Sequence, residues 1–209
     1  MPLLYKQQIN AATKIGVWHI TEEENFFLQF VPLQRSITHP HKRLQHLAGR
    51  FILLEMFPDF PLSLIQIADT RKPFLEDEAF HFSISHCGDY AAVIVSTQNR
   101  VGVDIEIPHD KIERIQHKFL SQKEKYLVEG IAGNTIEMLT MAWSIKEAMF
   151  KWYGAGQVDF INDMEIVAVH KTPTGFDAEC IFKKEKNISL KLKNTIVNGN
   201  NLSWVITDH

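Results

Sequence analysis

Apolar positions along the chain follow two rhythms, one near two residues and one near 3.6, and the switches between them outline the elements. KIGVWHI (14–20) reads as a first strand. Thr21 followed by Glu24 is a capping-box pattern and opens a short helix over 21–30. After Pro40, Leu44, Leu47, Phe51 and Leu54 recur at helical spacing until Pro58 stops the run. Residues 62–67 alternate like a strand, and RKPF (71–74) is a turn. Two further strands, 80–84 and 90–96, flank a polar turn around His86, Gly88 and Asp89. VGVDIEI (101–107) follows as another strand. Residues 110–130 read as helix in two pieces, broken near Leu120–Ser121. The longest helical pattern covers 135–153 and ends at Gly154 and Gly156. MEIVAVH, FDAECIF, ISLKLK and SWVIT then return to the strand rhythm. Strands and helices mix without strict alternation, which predicts an α+β fold with mostly antiparallel pairing. The polar turn Gln98–Asn99–Arg100 is the expected boundary between two domains, 1–99 and 100–209.

Composition narrows the function classes. At 209 residues, 45% apolar and 22% charged, the chain has the make-up of a globular protein with a sizeable core. There is no basic head followed by an apolar stretch, and no apolar run of spanning length, so neither a secretory signal nor a membrane span is expected. Cys87 and Cys180 do not form a disulfide framework, which favours a cytoplasmic home. A net charge of −3 argues against general nucleic-acid binding. Positive charge is nevertheless concentrated at Arg35, Lys42, Arg43 and Arg50, among His39, His41 and His46, with no acidic residue over 35–50. That stretch suits an anion.

Three constellations carry candidate chemistry. In VGVDIE, side chains alternate faces, so Gly102, Asp104 and Glu106 share one face, with the two carboxylates about 7 Å apart from Cα to Cα. Such a pair can share a divalent cation; it can equally be the wet face of a half-exposed strand. In the 135–153 helix, Met138, Met141, Ile145, Met149 and Trp152 form the core stripe, and Ser144, Glu147 and Lys151 lie opposite. Glu147 and Lys151 are either a solvent-facing ion pair or a third acidic ligand beside a phosphate-facing cation. In HFSISHC, Ser85 and His86 at a strand end could hold phosphate oxygens, or could simply belong to a polar hairpin turn. No Gly-x-Ser-x-Gly elbow, zinc-ligand spacing or glycine-rich phosphate loop appears.

Taken in order, RKPF, FSISH, GVDIE, FLSQKE and WSIKEAMFK resemble the 4′-phosphopantetheinyl transferase superfamily, and more narrowly its double-length, Sfp-type branch. The resemblance covers about residues 40–155. It implies two similar α/β subdomains related by a pseudo-twofold axis, with the active site in the cleft between them. The N-terminal subdomain would contact the nucleotide of coenzyme A, and the C-terminal one would carry the metal-binding and catalytic motifs. The implied reaction moves 4′-phosphopantetheine from coenzyme A to a serine of an acyl or peptidyl carrier protein and releases adenosine 3′,5′-bisphosphate. Asp104 and Glu147 would bind Mg²⁺, with Glu106 as a third ligand or one acting through water. Glu124 would be the general base. Lys151 and His86 would meet phosphate oxygens, Ser85 and Lys72 would hold the nucleotide part, and Arg43 and Arg50 would favour the 3′-phosphate. Arg71 departs from the pattern, since many members have Gly there. The carrier would dock near 112–130, on Lys118, Lys123 and Lys125 beside Phe119 and Leu120. A monomer is expected, with no nucleic-acid or membrane partner. Two other readings of the same residues are a Mg²⁺-dependent phosphohydrolase and a non-catalytic carrier-binding relative.

Overall fold

The computed structural model describes residues 3–33 and 36–208; Arg35 of the basic stretch lies outside them. The chain forms two compact units, one running to Val101 and including Asp208, the other Gly102–Thr207. The fold class is α+β.

In the first unit, β1 (Leu3–Gln8), β2 (Thr13–His19), β5 (His81–Cys87) and β6 (Tyr90–Ser96) make one sheet in the order β1-β2-β6-β5, every neighbour antiparallel. The centre of this sheet is β6, whose residues Ala91 to Val95 are fully buried. An unbroken apolar run is what a strand covered on both faces requires. Helix α2 (Pro40–Met56) packs on the sheet through Leu47, Ala48, Ile52 and Met56, with Phe51 in an aromatic cluster with Trp18 and Phe27. Pro at its first position and the His39 side chain at its N-cap explain where it starts.

Several expectations need correction here. Thr21 and Glu24 do not form a capping box. The short helix α1 (Glu24–Leu28) has Glu23 as its N-cap with no side-chain cap bond. Glu22 takes the Thr21 N–H and the Trp18 indole instead. The strand expected at 62–67 is a 3₁₀ turn at Leu62–Leu64 and only two residues of strand, β3 (Gln66–Ile67), paired with β4 (Pro73–Phe74). Pro61 precedes the turn, and β3 is exposed, so alternation there has no core to face. Strand β1 went unanticipated because LLYKQQ is a largely exposed edge with no apolar face. His86 belongs to β5, and the turn is formed by Gly88 and Asp89, with Gly88 at φ 52°.

Strand β7 (Asn99–Glu106) crosses from the first unit into the second and edges a five-stranded sheet of order β7-β11-β10-β9-β8. Its other strands are β8 (Met164–Thr172), β9 (Gly175–Phe182), β10 (Ile188–Val197) and β11 (Asn200–Asp208). The helices are α3 (Lys111–Ile115), α4 (Gln122–Glu129) and α5 (Thr135–Tyr153), with a 3₁₀ turn at Gln116–Lys118 between the first two. Helix α5 spans the residues its pattern predicts. Asn134 caps it by accepting from the N–H groups of Ile136 and Glu137, and Gly154 closes it in the left-handed region at φ 76°. The predicted stripe of Met138, Met141, Ile145, Met149 and Trp152 lies in the core with Phe182, Leu190, Leu192 and Val205. The predicted break near Leu120–Ser121 is also present. Ser121 and Glu124 form a full capping box at the start of α4.

Candidate active site

The polar face of β7 does not look into water. A Cβ at Gly102 would come within 2.2 Å of the Ala148 carbonyl oxygen and 2.6 Å of the Trp152 nitrogen. Only glycine therefore lets α5 lie on this strand. The opposite face is buried as well, with Val103 and Ile105 fully covered. Asp104, on the same face as Gly102, is 1% exposed. The half-exposed strand allowed by the sequence is thus excluded, and the polar side of α5 is what covers the carboxylates.

Besides Ala148 and Trp152 beside Gly102, three residues of α5 bond to this strand. The Lys151 ammonium lies 2.6 Å from Asp104 Oδ1. Ser144 donates to the Asp104 carbonyl at 3.5 Å. Trp143 Nε1 donates to Glu106 Oε1 at 3.2 Å. Lys151 is therefore engaged with β7, which a solvent-facing partner of Glu147 would not be. The Glu147 carboxyl is pushed up to about 7, first by burial, then by the negative charge of Asp104; Lys151 opposes the rise and Glu106 adds to it. Three carboxylates thus act on one another electrostatically, with one ammonium against them. Such crowding is relieved by a proton or by a cation. Among the described residues no three His, Cys, Asp or Glu side chains are already arranged to hold a metal ion. All-oxygen donors of this kind nevertheless suit Mg²⁺, which takes a few carboxylates and keeps several waters. Asp104, Glu106 and Glu147 are the side chains that could hold it, and Lys151 currently supplies the positive charge at Asp104.

Glu124, the general base implied by the resemblance, lies in a buried hydrogen-bond network that engages both of its oxygens. Oε1 takes the Lys146 ammonium at 2.7 Å and the Ile166 N–H at 2.9 Å. Oε2 takes the Ser121 N–H and O–H, each at 2.8 Å. Glu124 and Lys146 are both fully buried. The same lysine donates to the carbonyls of Phe119, Phe160 and Met164 at 2.6, 2.7 and 2.9 Å. This is a structural knot tying α4, α5, the 154–163 loop and β8 together. Lys146 was missed in the sequence, although it follows Leu139 and Ala142 on the helix and so falls beside the buried stripe. Trp143 was also missed; its signal is a polar-tipped aromatic one turn before Glu147.

The remaining candidates lie in the first unit. Ser85 is buried in β5 and His86 is exposed beside it. The following turn is fixed to α2, where Gln45 donates to the Gly88 carbonyl at 2.8 Å and His41 sits 2.8 Å from Asp89. That fixes the strand end carrying His86. Lys72 is lowered to about 8, mainly by burial and then by the positive charge of Arg100. Lys72 is thus partly desolvated beside another positive charge, and Arg100, like Lys146 and Trp143, is a residue the sequence did not single out for chemistry. Arg71 has φ 66°, a left-handed conformation that suits glycine, which gives the departure at this turn a physical meaning. The two arginines of the basic helix each have partners within the first unit. Arg43 is bound to Glu24 at 2.6 Å and to the Ile37 carbonyl at 3.1 Å, so its charge anchors α1. Arg50 is 7% exposed and contacts His46 Nδ1 at 3.1 Å. The structure does not bring these two arginines to one open anion surface. The expected docking patch also changes. Phe119 and Leu120 are core residues, whereas Tyr126 of α4, directly after Lys125 and three residues after Lys123, is 67% exposed.

A known family matches the part of the chain that carries this strand and helix. The family model of the 4′-phosphopantetheinyl transferase superfamily matches residues 100–205. A Haemophilus influenzae protein provisionally named 4′-phosphopantetheinyl transferase is 32% identical over 130 residues, 59% of this chain and 55% of that protein. Enterobactin synthase component D of Salmonella typhi is 30% identical over 113 residues, 53% and 47% of the two chains. The 4′-phosphopantetheinyl transferase AcpT of Escherichia coli K12 is 30% identical over 125 residues, 58% and 63%. The chain spans about half the length of the curated relatives it matches. The matched segment holds the carboxylate strand, the buried knot and the whole of α5, and by it the chain belongs to the 4′-phosphopantetheinyl transferase superfamily.

Proposed function

We propose that the protein transfers the 4′-phosphopantetheine group of coenzyme A to a serine hydroxyl of an acyl or peptidyl carrier protein, with Mg²⁺, releasing adenosine 3′,5′-bisphosphate. The observation that carries this is the meeting of β7 and α5: Lys151 on Asp104, Trp143 on Glu106, and a Glu147 carboxyl raised to about 7 by its surroundings. Mg²⁺, held by Asp104, Glu106 and Glu147, would offset the charge that develops on the leaving bisphosphate. Lys151 has an ammonium that can turn from Asp104 to a phosphate oxygen, a charge-assisted bond stronger than one between neutral groups. Lys72, with Arg100 beside it, and Ser85 and His86 are the proposed contacts for the nucleotide part. Glu124 positions α4 and α5, and to act as general base it would first release one of the donors it holds.

The carrier would dock on α4 at exposed Tyr126, where Lys123 and Lys125, paired with Glu165 and Glu129, could exchange those carboxylates for an acidic partner's. No helix among the described residues is long and apolar enough to cross a membrane. A cytoplasmic monomer of the double-length branch is the form we propose. The test is incubation with coenzyme A, Mg²⁺ and an apo carrier protein. Transfer adds the mass of one phosphopantetheine group to the carrier and releases the bisphosphate in equal amount. Release of phosphate with no change in the carrier would show a hydrolase instead. Binding of the carrier without turnover would show a non-catalytic relative.

A further inference from the structure

We infer that Trp143 is a positioning residue that aims Glu106 at the cation, and that the buried Lys146–Glu124 pair holds it to that task. The inference rests on the reading of Asp104, Glu106 and Glu147 as the cation-holding set.

The indole of Trp143 is gripped from two sides. Its ring stacks on Phe160, with centroids 5.4 Å apart and planes at 20°. Phe119 meets it edge-on at 5.0 Å and 65°. Both rings are themselves fixed through their backbones, because the carbonyls of Phe119 and Phe160 are two of the acceptors of the Lys146 ammonium, at 2.6 and 2.7 Å. Lys146 is in turn held by Glu124 at 2.7 Å. One buried cation therefore sets the spacing of the two aromatic residues that clamp a third. The clamped ring can turn little, and its only polar atom donates to Glu106 Oε1 at 3.2 Å. A carboxylate arm has free torsions; this bond removes one choice of direction before any cation arrives. Partners that hydrogen-bond a metal-holding carboxylate fix its orientation, and losing one costs about 10- to 100-fold in metal affinity or activity.

A structural filler and a positioning residue differ in what Trp143→Phe does. Phenylalanine keeps an aromatic ring between Phe119 and Phe160 and loses only the N–H. Free Mn²⁺ counted by electron paramagnetic resonance, with coenzyme A present and no carrier, reports affinity without turnover. The expected result is a W143F affinity about 10- to 100-fold weaker than wild type, at an unchanged urea midpoint. In a Glu106→Gln background the same substitution should change the affinity less than twofold. An unchanged affinity in W143F, or an equal loss in the E106Q background, overturns the inference. Wild-type protein that binds no Mn²⁺ overturns the three-carboxylate reading and this inference with it, so the two failures are distinguishable. Should W143F not fold, the indole N–H of wild-type Trp143 serves instead, followed by ¹⁵N NMR and assigned by its displacement in E106Q. It should move on Mg²⁺ titration while those of Trp18, Trp152 and Trp204 stay; a stationary signal overturns the inference.

Discussion

Lys146 and Lys151 sit five residues apart on α5, and each faces a buried carboxylate. Their surroundings differ in what else the ammonium can reach. Lys146 is fully buried and has four oxygens around its three protons, from Glu124 and three backbone carbonyls. Its charged form is disfavoured by burial and restored by Glu124, so its pKa is lowered on balance. Lys151 is 25% exposed at the rim of a group of three carboxylates that act on one another. The first lysine has no alternative partner, and the second has several. A single helix thus carries one ion pair built to stay and, a turn and a half further on, one that can exchange.

Removing the permanent pair should have the largest effect. Lys146→Met leaves the Glu124 carboxylate buried beside an apolar side chain and strips a donor from three carbonyls. A loss of about 3–5 kcal/mol in unfolding free energy is expected, measured by urea denaturation, and Mg²⁺ should not restore it. A loss below about 1 kcal/mol would mean that the knot is not what joins α4 and α5. Gly102→Ala should come next. Its Cβ would meet backbone atoms of α5, which cannot swing aside as a side-chain tip can. Forcing β7 from the helix should cost about 3 kcal/mol and weaken cation binding as well. Stability close to wild type would show that α5 shifts without strain.

Much of this contrast was legible in the letters, and the reason it was only partly so is physical. The limits of α5, its core stripe and its glycine stop follow from local periodicity and capping, which need no partner to be read. So does the capping box at Ser121 and Glu124, whose sequence pattern is also present at Thr21 and Glu24, where no box forms. The difference is tertiary: Glu24 is drawn to Arg43, and Glu22 serves Trp18. The alternation of VGVDIE placed Asp104 and Glu106 on one face, but not what covers that face. A helix 40 residues further along the chain decides it, and Gly102 permits it. Glu124 looked catalytic because an acidic residue in a matched motif carries no mark of burial; its partner Lys146 shows itself only when the core stripe of α5 is widened by one position. Arg43 and Arg50 looked like an anion site for the same reason: the letters mark neither the distant Glu24 that takes Arg43 nor the burial of Arg50 against His46 one turn before it.

The exchangeable pair should answer differently from the permanent one. Lys151→Ala removes the ammonium from Asp104 while leaving the carbonyls and packing of α5 as they are. In the presence of EDTA a loss of about 2 kcal/mol is expected, because a buried carboxylate has lost a charged partner. Mg²⁺ should return part of it, the rescue that Lys146→Met lacks. Phosphopantetheine transfer should fall by about 100-fold or more, since a charged donor to the phosphates is gone. Failure of Mg²⁺ to raise the unfolding midpoint of K151A would remove the distinction between the two lysines.

The smallest effect concerns the shape of a pH profile. Glu147 has its folded-state pKa raised from 4.5 to about 7, with burial as the first cause. Between those values the folded protein keeps a proton that the unfolded chain has released. Stability from this group is therefore greatest below pH 4.5, falls as pH rises through the window, and levels off above about 7. Glu165 has the opposite sign. Its hydrogen bonds with Lys123 and then Lys183 lower it to about 2, so its contribution is present above its ordinary pKa of 4.5 and is lost as pH falls toward 2. The two windows do not overlap, so a downward slope in EDTA between pH 5 and 7 does not come from the Glu165 pairs, and its dependence on Glu147 decides whether it belongs to the carboxylate cluster. Glu147→Gln should flatten it, and saturating Mg²⁺ should flatten it in wild type by taking the place of the proton. Urea unfolding at half-unit steps of pH, with and without Mg²⁺, measures both. An unaltered slope in E147Q would show that Glu147 is not the group crowded by Asp104 and Glu106, and the exchangeable half of the comparison would lose its electrostatic basis.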